Sequence, residues 1–523
     1  MSETVTELSK QIFDPPEKRA SHLSFLRELW LITIFSITIT ALVSHVFTDY
    51  IPLHHDLAGS ILSGKLAFEL GEVYSNYSIY FPPAEKLWFT LFAIVSDATG
   101  WSLILTASLL INLMTVIACL LAYQVRRMTL GGSPVFFFVS VAALTLLPMI
   151  FKNVFGLREH MVILGLWPYL VLRCSEHSSK PIDWQWRTVI GLWLGANLLF
   201  KYLYCVVVIL VELAEAISIR RIATIFRIEN LISGCVVALY LFLWLGLNPD
   251  QRDAIGAMLS SIDANLKNPL ANVLNALNYL IFIPAVILSS TINGVERKSW
   301  MIGVALVVGA VIVAALQERW YSHHLFPIIM AYVFWWWQAK PKLRLWLNAL
   351  VVICLAYPFI NQLLNARSYI DRVNEVEDVF SNSGYSLTGR RVGMLNMHPS
   401  PYNQVLTSFN ATRWNPMMNL AYPAAELKVY DKPANANAFA PPLTFDNRGR
   451  RMLHDQMISL WQDQPPEFLL FDHTSRFPLK YMNIDWERLF SRDPRFQEIL
   501  QHYKPVIQHD GRLTKFTVYV RVD

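Results

Sequence analysis

Four short stretches of the chain gather carboxylates, imidazoles and cations at the edges of long apolar runs. They are His54-His55-Asp56, Arg158-Glu159-His160, Lys201, and Glu318-Arg319 followed by His323-His324. Charge at membrane depth is costly, so it persists where it anchors a segment or does chemistry. Such a set is able to hold an anionic head group and to accept a proton from a hydroxyl. Each group also has a plainer use. Asp56 suits a solvated loop or a helix N-cap, Lys201 and Arg319 suit snorkelling to an interface, and Arg158 with Glu159 suits a self-neutralising pair. The adjacent histidines invite a zinc ion, yet no HExxH and no compact Cys/His set accompanies them, so spacing assigns no metal.

The elements that carry these groups follow from composition. Of 523 residues, 54% are hydrophobic and only 16% charged, against roughly 25% charged in soluble domains. This is the composition of a membrane protein. A net charge of +5 is too small an excess to imply a nucleic-acid partner. The five cysteines show no CxxC spacing, and none lies in the polar C-terminal part, which therefore has no disulfide framework. The sequence holds no P-loop, no GxGxxG opening a strand–helix unit and no GxSxG elbow, which disfavours ATP-driven transport and hydrolase chemistry.

Apolar runs at about 29–46, 101–124, 133–151, 157–172, 186–200, 203–219, 229–247, 270–289, 300–316, 324–338 and 345–362 make eleven candidate spans. Arginine and lysine follow even-numbered spans in five loops: Arg126 and Arg127; Arg173, Lys180 and Arg187; Arg220, Arg221 and Arg227; Arg297 and Lys298; Lys340, Lys342 and Arg344. One orientation puts all of them on the cytoplasmic side with the N-terminus, and an odd span count then puts the C-terminal part outside. The four reactive stretches fall together on that outer face. The expected organisation is a cytoplasmic tail over 1–28, a transmembrane domain over 29–365 with an external loop at 48–100, and a soluble periplasmic α/β domain over 366–523. Within the loop, 61–70 and 84–93 read as helices lying at the membrane surface. In the tail, 391–397, 468–471 and 515–522 read as strands and 451–462 as a helix.

A first span, a long external loop with Asp56, interfacial helices near Tyr80-Phe81-Pro82-Pro83 and a second span ending at Arg126-Arg127 resemble the GT-C class of integral membrane glycosyltransferases. The likeness is strongest to the bacterial branch of aminoarabinose, mannosyl and lipopolysaccharide-core sugar transferases, which use polyprenyl-phosphate sugars. Gly156-Leu157-Arg158-Glu159-His160, the segment from Gln317 to His324, the strand from Pro466 to Asp472 and Asp493-Pro494-Arg495-Phe496 are also similar to segments of bacterial members.

The resemblance implies a multi-pass α-helical GT-C-like membrane protein of the bacterial inner membrane. Its donor would be a polyprenyl-phosphate-linked sugar, and its acceptor an envelope glycan or glycolipid. Membrane lipids are further partners; nucleic acid is not. Asp56 matches the first-loop carboxylate that acts as general base, with His55 as its orienting residue. Where many members carry a paired carboxylate, this chain has His54 and His55, so Glu159 or Glu69 is the candidate second acid. The leaving phosphate calls for cations more than for an acid, a role that falls to Lys201, Arg158 and Arg319. His54, His160, Glu318, His323 and His324 would contact the head group or acceptor. Attack on the anomeric carbon would invert it in one step. No cofactor is required, and a divalent cation is compatible. The alternatives are a flippase for such a lipid and a non-catalytic envelope-assembly scaffold.

Overall fold

The computed structural model describes residues 16–50, 52–71, 83–131, 133–150, 154–175, 182–246, 297–317, 322–338, 367–396, 400–415, 448–474, 486–490 and 493–522. Uninterrupted apolar sequence, with no water to satisfy the backbone, must close its hydrogen bonds within the segment, and the chain answers with helices. They are α1 (Pro16–Asp49), α2 (His55–Leu70), α3 (Pro83–Thr99), α4 (Leu103–Leu130), α5 (Pro134–Ile150) and α6 (Arg158–Ser175). Then come α7 (Trp184–Leu198), α8 (Cys205–Ile219), α9 (Ile228–Leu241), α10 (Arg297–Leu316) and α11 (Phe326–Gln338).

Nine of the eleven apolar runs fall on helices among the described residues; the runs at 270–289 and 345–362 lie outside them. Among the described residues, five stretches are long and apolar enough to cross a membrane: Arg27–Thr48, Leu103–Thr129, Tyr202–Ile219, Ile228–Gly246 and Arg297–Leu316. On α1, the large side chains Trp30, Ile34, Ile37 and Leu42 are exposed, a surface that only lipid covers at no cost. Between helices, small residues allow close approach. A Cβ on Gly191 of α7 would lie 2.7 Å from the Glu229 carbonyl oxygen of α9.

The helices read over 61–70 and 84–93 are present as α2 and α3. α2 is buried along most of its length, packed on α3 and on a helix of the C-terminal region. A Cβ on Gly64 would stand 2.3 Å from the Phe89 carbonyl carbon, so glycine is what lets α2 and α3 touch.

The C-terminal region opens with α12 (367–383) and forms a five-stranded mixed sheet in the order β2-β1-β3-β5-β4. Its strands are β1 (Arg391–Leu395), β2 (Thr412–Arg413), β3 (Phe468–Asp472), β4 (Tyr503–Asp510) and β5 (Lys515–Arg521). β1 pairs in parallel with β2 and β3, while β5 runs antiparallel to β3 and β4. Helices α13 (Tyr402–Ser408), α14 (Arg448–Asp463), α15 (Trp486–Phe490) and α16 (Pro494–Gln501) complete it. The strands read at 391–397, 468–471 and 515–522 and the helix at 451–462 are all present. β4 escaped notice because Lys504, Pro505, Gln508 and Asp510 break the alternation that marks a strand.

Candidate functional site

The chain reverses before α6 through a turn at 154–157 in which Gly156 adopts φ +75°, a conformation that favours glycine. His160 fixes this turn. Its Nδ1 accepts from the Gly156 N–H at 3.0 Å and its Nε2 lies 2.8 Å from the Leu144 carbonyl, with the ring wholly buried. The structure therefore places His160 in the helix packing, with both ring nitrogens held by backbone groups. What the turn delivers is Arg158 and Glu159, in the first turn of α6.

These two do not neutralise each other. Arg158 Nε pairs with Glu85 Oε2 at 2.8 Å, and Glu85, on α3, also accepts from Ser60 Oγ of α2 at 2.8 Å. Glu159 pairs with Lys201, which sits where α7 has ended and a short 3-10 turn (Tyr202–Tyr204) leads into α8. His324 Nε2 lies 3.8 Å from the same Glu159 oxygen, and the Tyr204 hydroxyl reaches the His324 carbonyl at 3.4 Å. His323 and His324 occupy the 3-10 turn Ser322–Leu325 between α10 and α11.

On the other side stands Asp56, in the first turn of α2. The N-cap is His54, whose Nδ1 accepts from the Asp56 N–H at 3.2 Å, so capping is not the job of Asp56. Its carboxylate lies 3.7 Å from His54 Nδ1 and 3.6 Å from His55 Nε2, and is about a third exposed. The His54 ring stacks on His55 at 4.1 Å and meets His323 edge-on at 6.3 Å; His323 in turn meets His324 at 4.4 Å. The groups thus form a closed circuit. It runs from Asp56 through the imidazoles to Glu159, which holds Lys201, crosses the backbone to the adjoining Arg158, and returns through Glu85 and Ser60 to the helix that holds Asp56.

The electrostatics follow from this packing. Burial would raise the Asp56 carboxyl, but His55, His54, His323 and Arg158 hold it down to about 2. Burial, and then His54, push the His55 imidazole down to about 4 against the pull of Asp56. At neutral pH the pair is a carboxylate beside a neutral imidazole, a combination suited to accepting and orienting a proton.

The structure brings together eight of the residues singled out from sequence: His54, His55, Asp56, Arg158, Glu159, Lys201, His323 and His324. Glu318 and Arg319 lie outside the described residues. Glu69 is at the far end of α2, against Lys65 at 4.0 Å, Arg391 at 3.9 Å and the Thr412 hydroxyl, away from the circuit. Sequence reasoning missed Glu85 and Lys86, both buried at 2% and 3% exposure. Two adjacent charges in the apolar segment 84–93 were the available signal, since a surface helix would turn them to water and a buried one must pair them.

Among the described residues, two sets of donor atoms also converge within 4.8 Å: His54, His55 and Asp56, and Glu159, His323 and His324. Imidazole nitrogen with carboxylate oxygen is a donor set that divalent transition ions accept.

No family model matches the sequence, and no curated protein matches it. The structure does find a likeness. The crystal structure of ArnT from Cupriavidus metallidurans bound to undecaprenyl phosphate aligns over 94% of this chain and 98% of that one, at 11% identity and a TM-score of 0.51. The mycobacterial arabinofuranosyltransferase AftD aligns over 94% of this chain but 40% of its own, at 12% identity and a TM-score of 0.42, too low to carry weight. At such identity the likeness to ArnT is one of fold: a multi-pass membrane architecture.

Proposed function

We propose that this chain, which has the GT-C membrane-glycosyltransferase fold, transfers a sugar from a polyprenyl-phosphate donor to an envelope glycan or lipid acceptor. The reaction is placed at the outer face of the bacterial inner membrane, with the C-terminal region in the periplasm. The observation that supports it best is the convergence of a part-exposed carboxylate, Asp56, with the Glu159–Lys201 and Glu85–Arg158 pairs at one end of the bundle. ArnT was captured with undecaprenyl phosphate. A lipid phosphate of that kind needs fixed cations at a helix-end surface, which is what Lys201 and Arg158 offer.

In this reading Asp56 accepts the acceptor's hydroxyl proton as the oxygen attacks the anomeric carbon. The bond to the donor phosphate breaks as the new glycosidic bond forms, and the configuration inverts. Lys201 and Arg158 stabilise the departing phosphate. The same arrangement tunes the base. Asp56 is held low partly by Arg158, so an anionic phosphate drawn to that arginine raises the carboxyl toward a working range. Glu159, His323 and His324 are suited to hold a divalent cation, which would add positive charge beside the phosphate. Lys201, now on Glu159, would have to yield part of that carboxylate.

The test is mass spectrometry of envelope glycolipids from cells with the gene, without it, and with Asp56→Asn. A missing glycoform, restored by the wild-type chain and not by Asp56→Asn, is expected; the loss in rate should be on the order of 10²–10⁴-fold. An Asp56→Asn protein that restores the glycoform fully overturns the reading.

A further inference from the structure

The C-terminal region does not merely lie beside the loop that carries Asp56; it donates hydrogen bonds to it. Helix α13 packs on α2, and Leu62 of α2 belongs to the same apolar cluster as Val405 and Leu406. From α13, Asn403 Nδ2 donates to the His55 carbonyl at 3.2 Å and Gln404 Nε2 donates to the Leu53 carbonyl at 3.2 Å. Both carboxamides are buried, at 0% and 2% exposure. Asn403 is itself held, because the buried Arg413 donates through Nη1 to its Oδ1 at 2.7 Å and through Nη2 to Asn396 Oδ1 at 3.3 Å. The Tyr369 hydroxyl of α12 lies 3.4 Å from His55 Nδ1.

Buried carbonyls require donors, so some partner at Leu53 and His55 is unremarkable in itself. The source of these donors is informative. They come from a part of the chain some 350 positions away, as rigid side chains on a helix fixed to a sheet, and they grip backbone at one and three positions before Asp56. Asp56 stands in the first turn of α2, where the helix has the fewest backbone bonds of its own, so an outside grip narrows its position. Reactions that depend on alignment lose about a hundredfold for a displacement of about 1 Å.

We propose that Asn403 and Gln404 are positioning residues that fix Asp56 against the Glu159–Lys201 and Glu85–Arg158 pairs, which makes the C-terminal region part of the working reaction centre. This rests on the transfer reading above. The test uses the full chain in lipid nanodiscs and the variants Gln404→Met, which keeps length without the donor, and Asn403→Asp, which keeps an acceptor for Arg413. Deuterium uptake over 53–58, binding of undecaprenyl phosphate, thermal midpoint and the envelope glycoform are read on each. The expected result is uptake over 53–58 about tenfold faster and product at least about tenfold lower, with lipid binding within about twofold of wild type and an unchanged midpoint. Unchanged uptake in both variants while the wild type makes product overturns the clamp and leaves the transfer reading intact. Faster uptake with no glycoform from the wild type overturns the transfer reading and leaves the clamp. Product loss that only tracks a lowered thermal midpoint shows a structural role and also overturns the proposal.

Discussion

The helices that present the candidate site carry a second charged cluster at their opposite ends. Glu159 lies in the first turn of α6 and Arg173 in its last, fourteen residues and so about 21 Å apart along the axis. Arg173 is completely buried. Its Nε lies 3.4 Å from Glu212 and its Nη1 3.5 Å from Glu215, both on α8, and its Nη2 pairs with Glu229 of α9. Arg187 of α7 reaches Glu229 at 3.0 Å, Arg227 reaches Glu215 at 2.8 Å, and Lys298 of α10 reaches Glu215 at 2.7 Å. Side chains of five helices and the turn before α9 thus meet in one network. The two clusters use the same residue types, but they differ in access. The three carboxylates of the Arg173 network are at most 3% exposed, whereas Asp56 is 36% exposed and Arg158 34%. Part-exposed cations rim both clusters, Arg187 and Arg227 at 22% and 18% in the Arg173 network. That network covers all its carboxylates and holds helices together, while the candidate site leaves the Asp56 carboxylate open to meet a ligand.

The largest effect that would break this comparison is on stability. Arg173→Met leaves Glu212, Glu215 and Glu229 short of a shared buried cation, and removing one member of a buried ion set costs about 3–5 kcal/mol. Little folded protein is expected, read as yield from detergent and as thermal midpoint. Lys201→Met should be milder for folding, because His324 stands 3.8 Å from the Glu159 carboxylate, yet it should abolish detectable undecaprenyl phosphate binding. If Lys201→Met unfolded the chain while Arg173→Met only weakened lipid binding, the assignment of the two clusters would be reversed.

Part of this contrast was legible in the sequence. Asp56, Glu159, Lys201 and the paired histidines stood out because each interrupts or borders an apolar run, and orientation gathered them on one face. The Arg173 network was half visible. Arg173, Arg187, Arg227 and Lys298 read as loop cations that set orientation, and nothing in the sequence ties Glu212, Glu215 and Glu229 to them. Glu212 and Glu215 lie three apart near the end of an apolar helix, a spacing that puts both on one face. Only the packing of α6, α8 and α9 shows that this face meets Arg173. The grip of α13 on Leu53 and His55 was not legible at all, since Asn403 and Gln404 are ordinary helix residues until the tertiary fold sets them against the loop. His160 differs the other way. Its neighbours Arg158 and Glu159 suggested a shared role, but one residue along a helix is a rotation of about 100°, which takes the imidazole into the packing.

An intermediate effect sharpens the picture of the open cluster through pH. The His55 value of about 4 is below the ordinary 6.5, so the folded state prefers the neutral ring. The stability it contributes is complete above 6.5 and is lost as pH falls from there through 4. The Asp56 value of about 2 is below the ordinary 3.8, so its contribution is complete above 3.8 and is lost only as pH falls through 2. The kcat/KM for donor, which reports the ligand-free site, should therefore stay flat from pH 8 down to about 5 and fall below that. An acid limb centred at 6.5 would show that an ordinary histidine, and not Asp56, sets the protonation state that matters.

The smallest effect probes the sealed cluster with its charges left in place. The Tyr169 hydroxyl donates to Glu212, and the Arg173 guanidinium lies over the same ring, 5.1 Å from its centre. Tyr169→Phe removes the hydroxyl, keeps the ring under Arg173 and leaves Glu212 its contact with that arginine at 3.4 Å. The loss of one hydrogen bond to a charged group costs about 1.5–3 kcal/mol, toward the low end when another partner remains. A thermal midpoint lowered by a few degrees, with undecaprenyl phosphate binding and product unchanged, is the expected outcome. A change in lipid binding from this substitution would mean that the two ends of α6 are coupled, and that the sealed network does more than hold helices.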